Sequence, residues 1–235
     1  MNMALDEACM EAVARGDAPP TIRLYRWSPS AISIGNFQCL ADEIDENAVA
    51  ASGVAVVRRL TGGGAVYHDE HGEVTYSIIA PEALFPKGVR ESYEALCAVL
   101  VDAFAELGIA ARFRPINDII IGERKVSGNA QTRRNGVLLQ HGTILLTVDP
   151  ARMFSLLTPD KTKLSDKPYI KSVRAAVTCL AEHGAPERDD VERALRDAFR
   201  KRYPGREGTW SAGELERAEA LVTTRYGNDE WNRMR

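Results

Sequence analysis

The apolar side chains follow a helical period in some stretches and a two-residue period in others. Leu5, Ala8, Cys9, Ala12 and Val13 fall on one stripe, so Met3–Val13 is predicted as a helix that Asn2 can cap. Arg15-Gly16-Asp17-Ala18-Pro19-Pro20 ends that pattern. Thr21–Trp27 and Ala31–Ile34 read as strands around a Ser28-Pro29-Ser30 turn. Asp45–Ser52 predicts a short helix closed by Gly53, and Val54–Arg59 a strand. Glu73–Ile79 alternates well and is expected to pair back as the strand after the glycine-rich stretch that follows Arg59. Arg90–Leu107 is the longest predicted helix, with Tyr93, Leu96, Cys97, Leu100, Val101, Phe104 and Leu107 on its buried side and Gly108 ending it. Ile116–Ile121, Lys125–Gln131 and Val137–Thr147, joined by Gly122-Glu123 and Asn135-Gly136 turns, predict a β-meander. Pro150–Leu157, Asp189–Tyr203 and Glu214–Val222 predict further helices. Strands mixed with helices in this order argue for an α+β fold with mixed, largely antiparallel sheets flanked by helices.

Composition narrows the function classes. The chain has 235 residues, 45% hydrophobic and 27% charged, which predicts one soluble globular domain over 1–235. A net charge of −3 offers no basic face, so nucleic acid is not an expected partner. Apolar runs such as Ala95–Val101 are too short to cross a bilayer, and the N-terminus lacks the pattern of a signal peptide. A cytoplasmic protein without a membrane partner is therefore expected. The 4 cysteines are scattered without C-x-x-C spacing, and Cys9 and Cys97 fall on apolar helix faces, as buried reduced thiols do.

Three segments carry candidate chemistry. In the first, β-branched residues lead through Arg58-Arg59-Leu60-Thr61 into Gly62-Gly63-Gly64 and on to Ala65-Val66-Tyr67-His68-Asp69. Such a run can bring backbone N–H groups against an anion, with an arginine fork beside them. The plain alternative is a hairpin turn between Val54–Arg59 and Ala65–Tyr67 with solvated arginines. The second segment sets Asn117-Asp118 before Lys125-Val126-Ser127-Gly128-Asn129-Ala130-Gln131. It points a cation beside a sheet, leaves room at Gly128, and offers an amide and a carboxylate for a base edge or a magnesium ion. Its alternative is an exposed hairpin tip. In the third, Gln140-His141-Gly142-Thr143, the histidine is either a donor to a substrate oxygen or a satisfied core residue. His68 is ambiguous in the same way.

In their order and separations these segments resemble the lipoate–protein ligases. The family's R-R-x-[ST]-G-G-G-A-V-[FY]-H-D signature stands as Arg58–Asp69, its N-D strand and central-lysine segment as Asn117-Asp118 and Lys125–Ala130, and its H-G-T strand as His141-Gly142-Thr143. The opening Asn2–Ala8, the stretches Thr158–Lys161 and Lys171–Arg174, and Glu230-Trp231-Asn232 match as well. The resemblance implies a biotin/lipoate ligase-like catalytic domain that uses ATP and Mg2+ to turn lipoate, or octanoate, into an acyl adenylate such as lipoyl-AMP. It then implies transfer of the acyl group to a lysine of a lipoyl carrier domain or a glycine-cleavage H-type protein. Lys125 would be the central catalytic lysine. Arg59, Gly62, Gly63, Gly64, Ala65, Val66, Tyr67, Asn117, Asp118 and Lys125 would contact the nucleotide, with Asp118 as metal ligand. Arg59, Gly63, Gly64, His68, Lys125, Gly128 and His141 would contact the acyl substrate, with Val57, Val66, Tyr67 and Ile119 lining an apolar slot.

Two departures from the family pattern shape the expectation. A strand usually precedes the opening helix, and long forms continue past Glu230-Trp231-Asn232 into a small accessory domain. A separate small ligase subunit is therefore an expected partner. Two alternatives stand beside the ligase. One is an ATP-independent octanoyl or lipoyl transferase of the same fold, which in one branch forms a thioester on a cysteine just before the central-lysine segment, where this chain reads Arg114-Pro115-Ile116-Asn117-Asp118. The other is a non-catalytic lipoate- or adenylate-binding protein.

Overall fold

The computed structural model describes residues 1–158, 177–184 and 186–235. Strands β1 (Thr21–Tyr25), β5 (Glu73–Pro81), β6 (Ala111–Arg114), β7 (Asp118–Ile121), β8 (Arg124–Arg134) and β9 (Val137–Leu145) form a six-stranded antiparallel sheet in the order β1-β5-β9-β8-β7-β6. A second sheet orders β3 (Ala55–Arg58), β2 (Ala31–Ile34) and β4 (Val66–His68), with β2 parallel to β3 and antiparallel to β4. The α+β expectation holds.

Alternation sorts the large sheet's side chains. On one face Val74, Tyr76, Ile78 and Ala80 of β5 pack with Leu96, Leu100 and Phe104 of α4 (Val89–Glu106) and Val191, Leu195 and Phe199 of α6 (Arg188–Arg202). On the other, Cys9, Met10 and Val13 of α1 (Asn2–Arg15) meet Ile79 and Leu139. The small sheet packs around Ile32, Ile34 and Tyr67 with α2 (Leu40–Glu43), α3 (Glu46–Ser52) and α5 (Pro150–Leu156). Two C-terminal helices, α7 (Ala212–Leu221) and α8 (Asp229–Asn232), joined by a π-helical turn at Val222–Tyr226, complete a cluster with Met3, Leu5 and Trp27. No described helix is long and apolar enough to cross a membrane.

Several local expectations shift. The segment Glu73–Ile79 does not pair back onto the strand before the glycines; as β5 it lies in the large sheet between β1 and β9. Nor is the glycine stretch a hairpin, because β3 and β4 flank β2 on opposite sides. Helix α1 starts without a side-chain cap, since the Asn2 amide donates to the Arg26 carbonyl at 2.8 Å instead. Asp45 does cap α3, accepting from the Ala48 N–H at 3.0 Å, and Gly53 closes that helix at φ 67°. The edge strand β6 went unpredicted: four residues of alternating Ala-Arg-Phe-Arg give little signal next to the stronger meander. The matching stretches 159–161 and 171–174 lie outside the described residues.

Candidate functional site

The two sheets enclose a cavity of about 220 Å3. Met3, Tyr25 and Trp27 form an apolar wall, and Gly63, Gly64, Ala65 and Val66 of the glycine loop form another side. Ser33, Arg59, His68, Thr75 and His141 line the buried end, while Asn117, Lys125, Gly128, Asn129 and Ala130 border the rest. All three segments singled out in the sequence thus meet at one pocket.

Lys125 reaches the pocket because β7 and β8 shift register between Ile119 and Ile120, which pairs Lys125 with Ile120 and Ser127 with Ile119. Val126 then points into the core while the Lys125 side chain lies across Gly128, where a Cβ would meet Nζ at 2.5 Å. A side chain at 128 would therefore oblige the lysine tip to move from this position. The Lys125 ammonium pairs with Asp118 Oδ1 at 2.8 Å, and Arg114 takes the other oxygen at 2.9 Å. Burial raises the Asp118 carboxyl, but Lys125 and Arg114 outweigh it and leave the group below its ordinary range. With both oxygens engaged by cations, Asp118 is a lysine-orienting group in this geometry rather than a free metal ligand. No cluster of three or more His, Cys, Asp or Glu side chains able to hold a metal occurs among the described residues. The described residues thus offer no all-protein cage for a metal, whereas magnesium at a phosphate site is commonly held by one or two carboxylates together with the substrate's own oxygens.

Neither arginine of the motif is solvated, and neither is free. Arg58 is fully buried and donates to the carbonyls of Gly35 (2.9 Å), Gln38 (2.7 Å), Trp231 (3.2 Å) and Asn232 (3.1 Å). Arg59 donates from Nε to Thr61 Oγ1 (3.0 Å), from Nη1 to the Ser33 carbonyl and hydroxyl (2.9 and 3.2 Å), and from Nη2 to the Gly62 and Gly64 carbonyls (2.7 and 2.9 Å). Burial lowers its guanidinium to about 10, so it stays charged at neutral pH. Arg59 thus braces the glycine loop from within.

Two matching relays converge on Arg59. Glu73 Oε1 accepts from His68 Nδ1 at 2.7 Å, and His68 Nε2 meets the Ser33 hydroxyl at 2.8 Å. Asp6 Oδ2 lies 3.2 Å from His141 Nδ1, and His141 Nε2 meets the Thr61 hydroxyl at 2.7 Å. Since Arg59 donates to both hydroxyls, each hydroxyl keeps its own proton available for the imidazole Nε2, while Nδ1 faces the carboxylate. Trp27 stacks on His68 at a centroid distance of 4.1 Å and donates to Thr75 at 3.0 Å. The satisfied-core reading of both histidines is therefore met, and both still border the pocket.

Gly63, Gly64, Ala65, Val66, Asn117, Gly128, His68 and His141 all line the pocket. Tyr67 is not: its ring packs in the small sheet's core and its hydroxyl meets Arg152 at 2.8 Å. Val57 and Ile119 also point into other clusters, and Met3, Tyr25 and Trp27 supply the apolar wall in their place. Sequence reading missed Ser33, Glu73, Asp6 and Glu43. Asp6 had a signal, for it falls on the stripe of Met3, Met10 and Val13, where a carboxylate needs a partner; it finds Arg23 at 2.8 Å. No cysteine borders the pocket: Cys9, Cys97 and Cys179 are buried elsewhere and Cys39 is exposed.

Comparison with known proteins adds three findings. The sequence profile of the Lipoyl protein ligase A/B catalytic domain matches residues 1–200. The octanoyltransferase LipM of Symbiobacterium thermophilum is 39% identical over 98% of this chain and 93% of its own length, and that of Kyrpidia tusciae is 39% identical with the same coverage. Among solved structures, a bi-partite lipoate protein ligase from Thermoplasma acidophilum superposes with a TM-score of 0.84 at 30% identity, covering 99% of this chain and 92% of that one. A lipoate-protein ligase A bound with ATP gives a TM-score of 0.84 at 28% identity, covering 98% and 92%.

Proposed function

As a member of the lipoyl protein ligase A/B catalytic domain family, the protein is, we propose, an acyltransferase that moves a medium-chain acyl group, octanoyl or lipoyl, onto a lysine of a lipoyl carrier domain. The observation that carries this reading is the geometry around Lys125. A half-exposed ammonium borders a pocket whose far end is buried and whose wall is apolar. An acyl chain lies along that wall with its carbonyl beside the ammonium and the glycine loop. The incoming amine of the carrier lysine attacks that carbonyl, and fixed positive charge with oriented N–H groups stabilises the oxygen as it gains charge. The C–N bond forms as the carbonyl becomes tetrahedral; collapse then breaks the bond to the leaving group, which departs with the proton the amine gives up, and alignment of the two reactants supplies much of the acceleration.

The relatives' name, octanoyltransferase, favours an octanoyl group arriving already activated, and a thioester is the donor taken here. The groups expected to grip a nucleotide agree with it, since Arg59, Asp118 and the Ala65 N–H are all engaged by protein partners. In that reading the donor thiolate is displaced by the amine directly, because no thiol borders the pocket to hold the acyl group in between.

The missing thiol also favours a second reading, ATP-dependent activation of the free acid, in which a small accessory subunit would assist. An acyl adenylate needs no enzyme nucleophile, and a lipoate-protein ligase A bound with ATP shares this fold. One experiment separates the two. The protein is mixed with an apo carrier domain and either an octanoyl thioester of a carrier protein or octanoate with ATP and Mg2+, with and without a candidate small subunit. The carrier's mass is then followed. Acylation from the thioester without ATP is the expected outcome; acylation only with ATP selects the second reading. Lys125→Met is expected to lower either rate by about 100-fold or more, the scale of losing one oriented charge at a reacting oxygen. A variant with full activity would move the chemistry to another part of the pocket.

A further inference from the structure

Ala65 N–H, the residue after the three glycines, does not face an open anion nest. It donates to Glu43 Oε2 at 2.5 Å. Glu43 ends α2, and its backbone carbonyl accepts from the Thr158 N–H at 2.9 Å, so the residue is tied to the strand-like segment after α5 as well. A Cβ on Gly64 would meet the same carboxylate oxygen at 3.0 Å, and one on Gly63, whose φ is 96°, would meet Arg59 Nη2 at 3.0 Å. The loop therefore carries glycine where the two bracing groups approach. Arg59 takes the Gly62 and Gly64 carbonyls from one side, and Glu43 takes the Ala65 N–H from the other.

This bracing leaves particular donors unspent. Among the described residues, the N–H groups of Gly63 and Gly64 donate to no protein acceptor, and both glycines border the pocket. Two peptide units are clamped, 62–63 through its carbonyl and 64–65 through both its carbonyl and its N–H, so the Gly63 N–H is held directly and the 63–64 unit that carries the Gly64 N–H is held at both ends before a substrate arrives. Held donors of this kind act most strongly on the charge that develops in a transition state.

We propose that Glu43 is a positioning residue for acyl transfer: its carboxylate locks the Ala65 peptide so that the Gly63 and Gly64 N–H groups face the acyl oxygen. This deepens the acyltransfer reading and rests on it. The role is geometric, so an acceptor oxygen at the same reach serves and a negative charge is not required.

The test is steady-state kinetics with whichever donor acylates the carrier, alongside thermal melting. Glu43→Ala is expected to lower kcat roughly 10–100-fold while KM for the acyl donor stays within about twofold, the signature of an interaction realised in the transition state. Glu43→Gln keeps an acceptor oxygen at the same distance and is expected to retain kcat within about threefold. A wild-type kcat in Glu43→Ala, a raised KM with unchanged kcat, or a Glu43→Gln variant as impaired as Glu43→Ala overturns the inference. Should Glu43→Ala not fold, Glu43→Asp carries the test: a carboxylate withdrawn by one methylene lowers kcat if the inference holds and leaves it unchanged if it does not. Wild-type protein inactive with every donor counts instead against acyl transfer itself.

Discussion

Arg59 has five N–H donors, and neighbouring protein atoms accept five hydrogen bonds from them. A buried guanidinium satisfied in this way is a framework part, and its loss leaves two hydroxyls and three carbonyls without their donor. The relays beside it make a pH prediction. Burial, acting against the hydrogen bond and charge of Asp6, holds the His141 imidazole below its ordinary value. The native state thus refuses a proton that the unfolded chain binds near pH 6.5. Stability from this residue is present above about pH 6.5 and is lost as pH falls below it toward the folded value. His141→Asn is expected to flatten the fall in unfolding free energy between pH 7.5 and 5.5, as measured by urea denaturation. An unchanged slope would assign that fall to other groups. At this scale the sequence named Lys125, His68 and His141 through motif and spacing. It had no means of naming Ser33, since all of Ala31–Ile34 is buried and a serine between isoleucines carries no orientation. Glu43 was equally silent, because its partner is a backbone N–H.

Elements place those residues, and here periodicity served well where segments were long. The predicted helix Arg90–Leu107 stands as Val89–Glu106, and the Asn135-Gly136 turn has the positive φ values, 52° and 76°, that a tight hairpin requires. Short strands were legible as strands but not as partners. Nothing in Val54–Arg59 states that β3 runs parallel to β2, since strand pairing is decided by which apolar face finds cover. The glycine loop also depends on a residue outside its motif. A Cβ on Gly35, just after β2, would stand 1.9 Å from the Gly63 carbonyl oxygen, so the two backbones touch. Gly35→Ala is expected to push the loop away, at a cost of about 1–3 kcal/mol in folding free energy for overpacking. Activity should fall further than stability accounts for. Thermal melting with carrier acylation at a temperature where the variant stays folded checks both; an active, fully stable variant would mean that the loop has room to move.

Over the whole molecule, distant parts of the chain meet on one strand. The N–H of Arg58 donates to Asn232 Oδ1 at 2.8 Å, the Trp231 indole donates to the Arg58 carbonyl at 2.9 Å, and the Arg58 guanidinium is wrapped by carbonyls from residues 35–38 and 231–232. The Glu230-Trp231-Asn232 match thus has a structural meaning that the sequence could not state: it fastens the strand that feeds the glycine loop. Asn232→Ala strands a buried N–H and is expected to cost about 1–3 kcal/mol, whereas Asn232→Asp keeps the acceptor and is expected to cost less. Urea unfolding of the two variants compares them, and equal losses would point to the Asn232 amide bond with the Tyr226 carbonyl instead.

The placement of β2 between β3 and β4 has a consequence for the loop's length. Its two ends are anchored on strands that are not neighbours, so the backbone must bridge two inter-strand gaps, about 10 Å at some 4.8 Å each. Excising one glycine would shorten a bridge whose piers cannot approach each other, while an extra one would let the span sag away from both of its braces. The count of residues from Arg59 to Val66 is therefore as much a part of the machine as the glycines themselves.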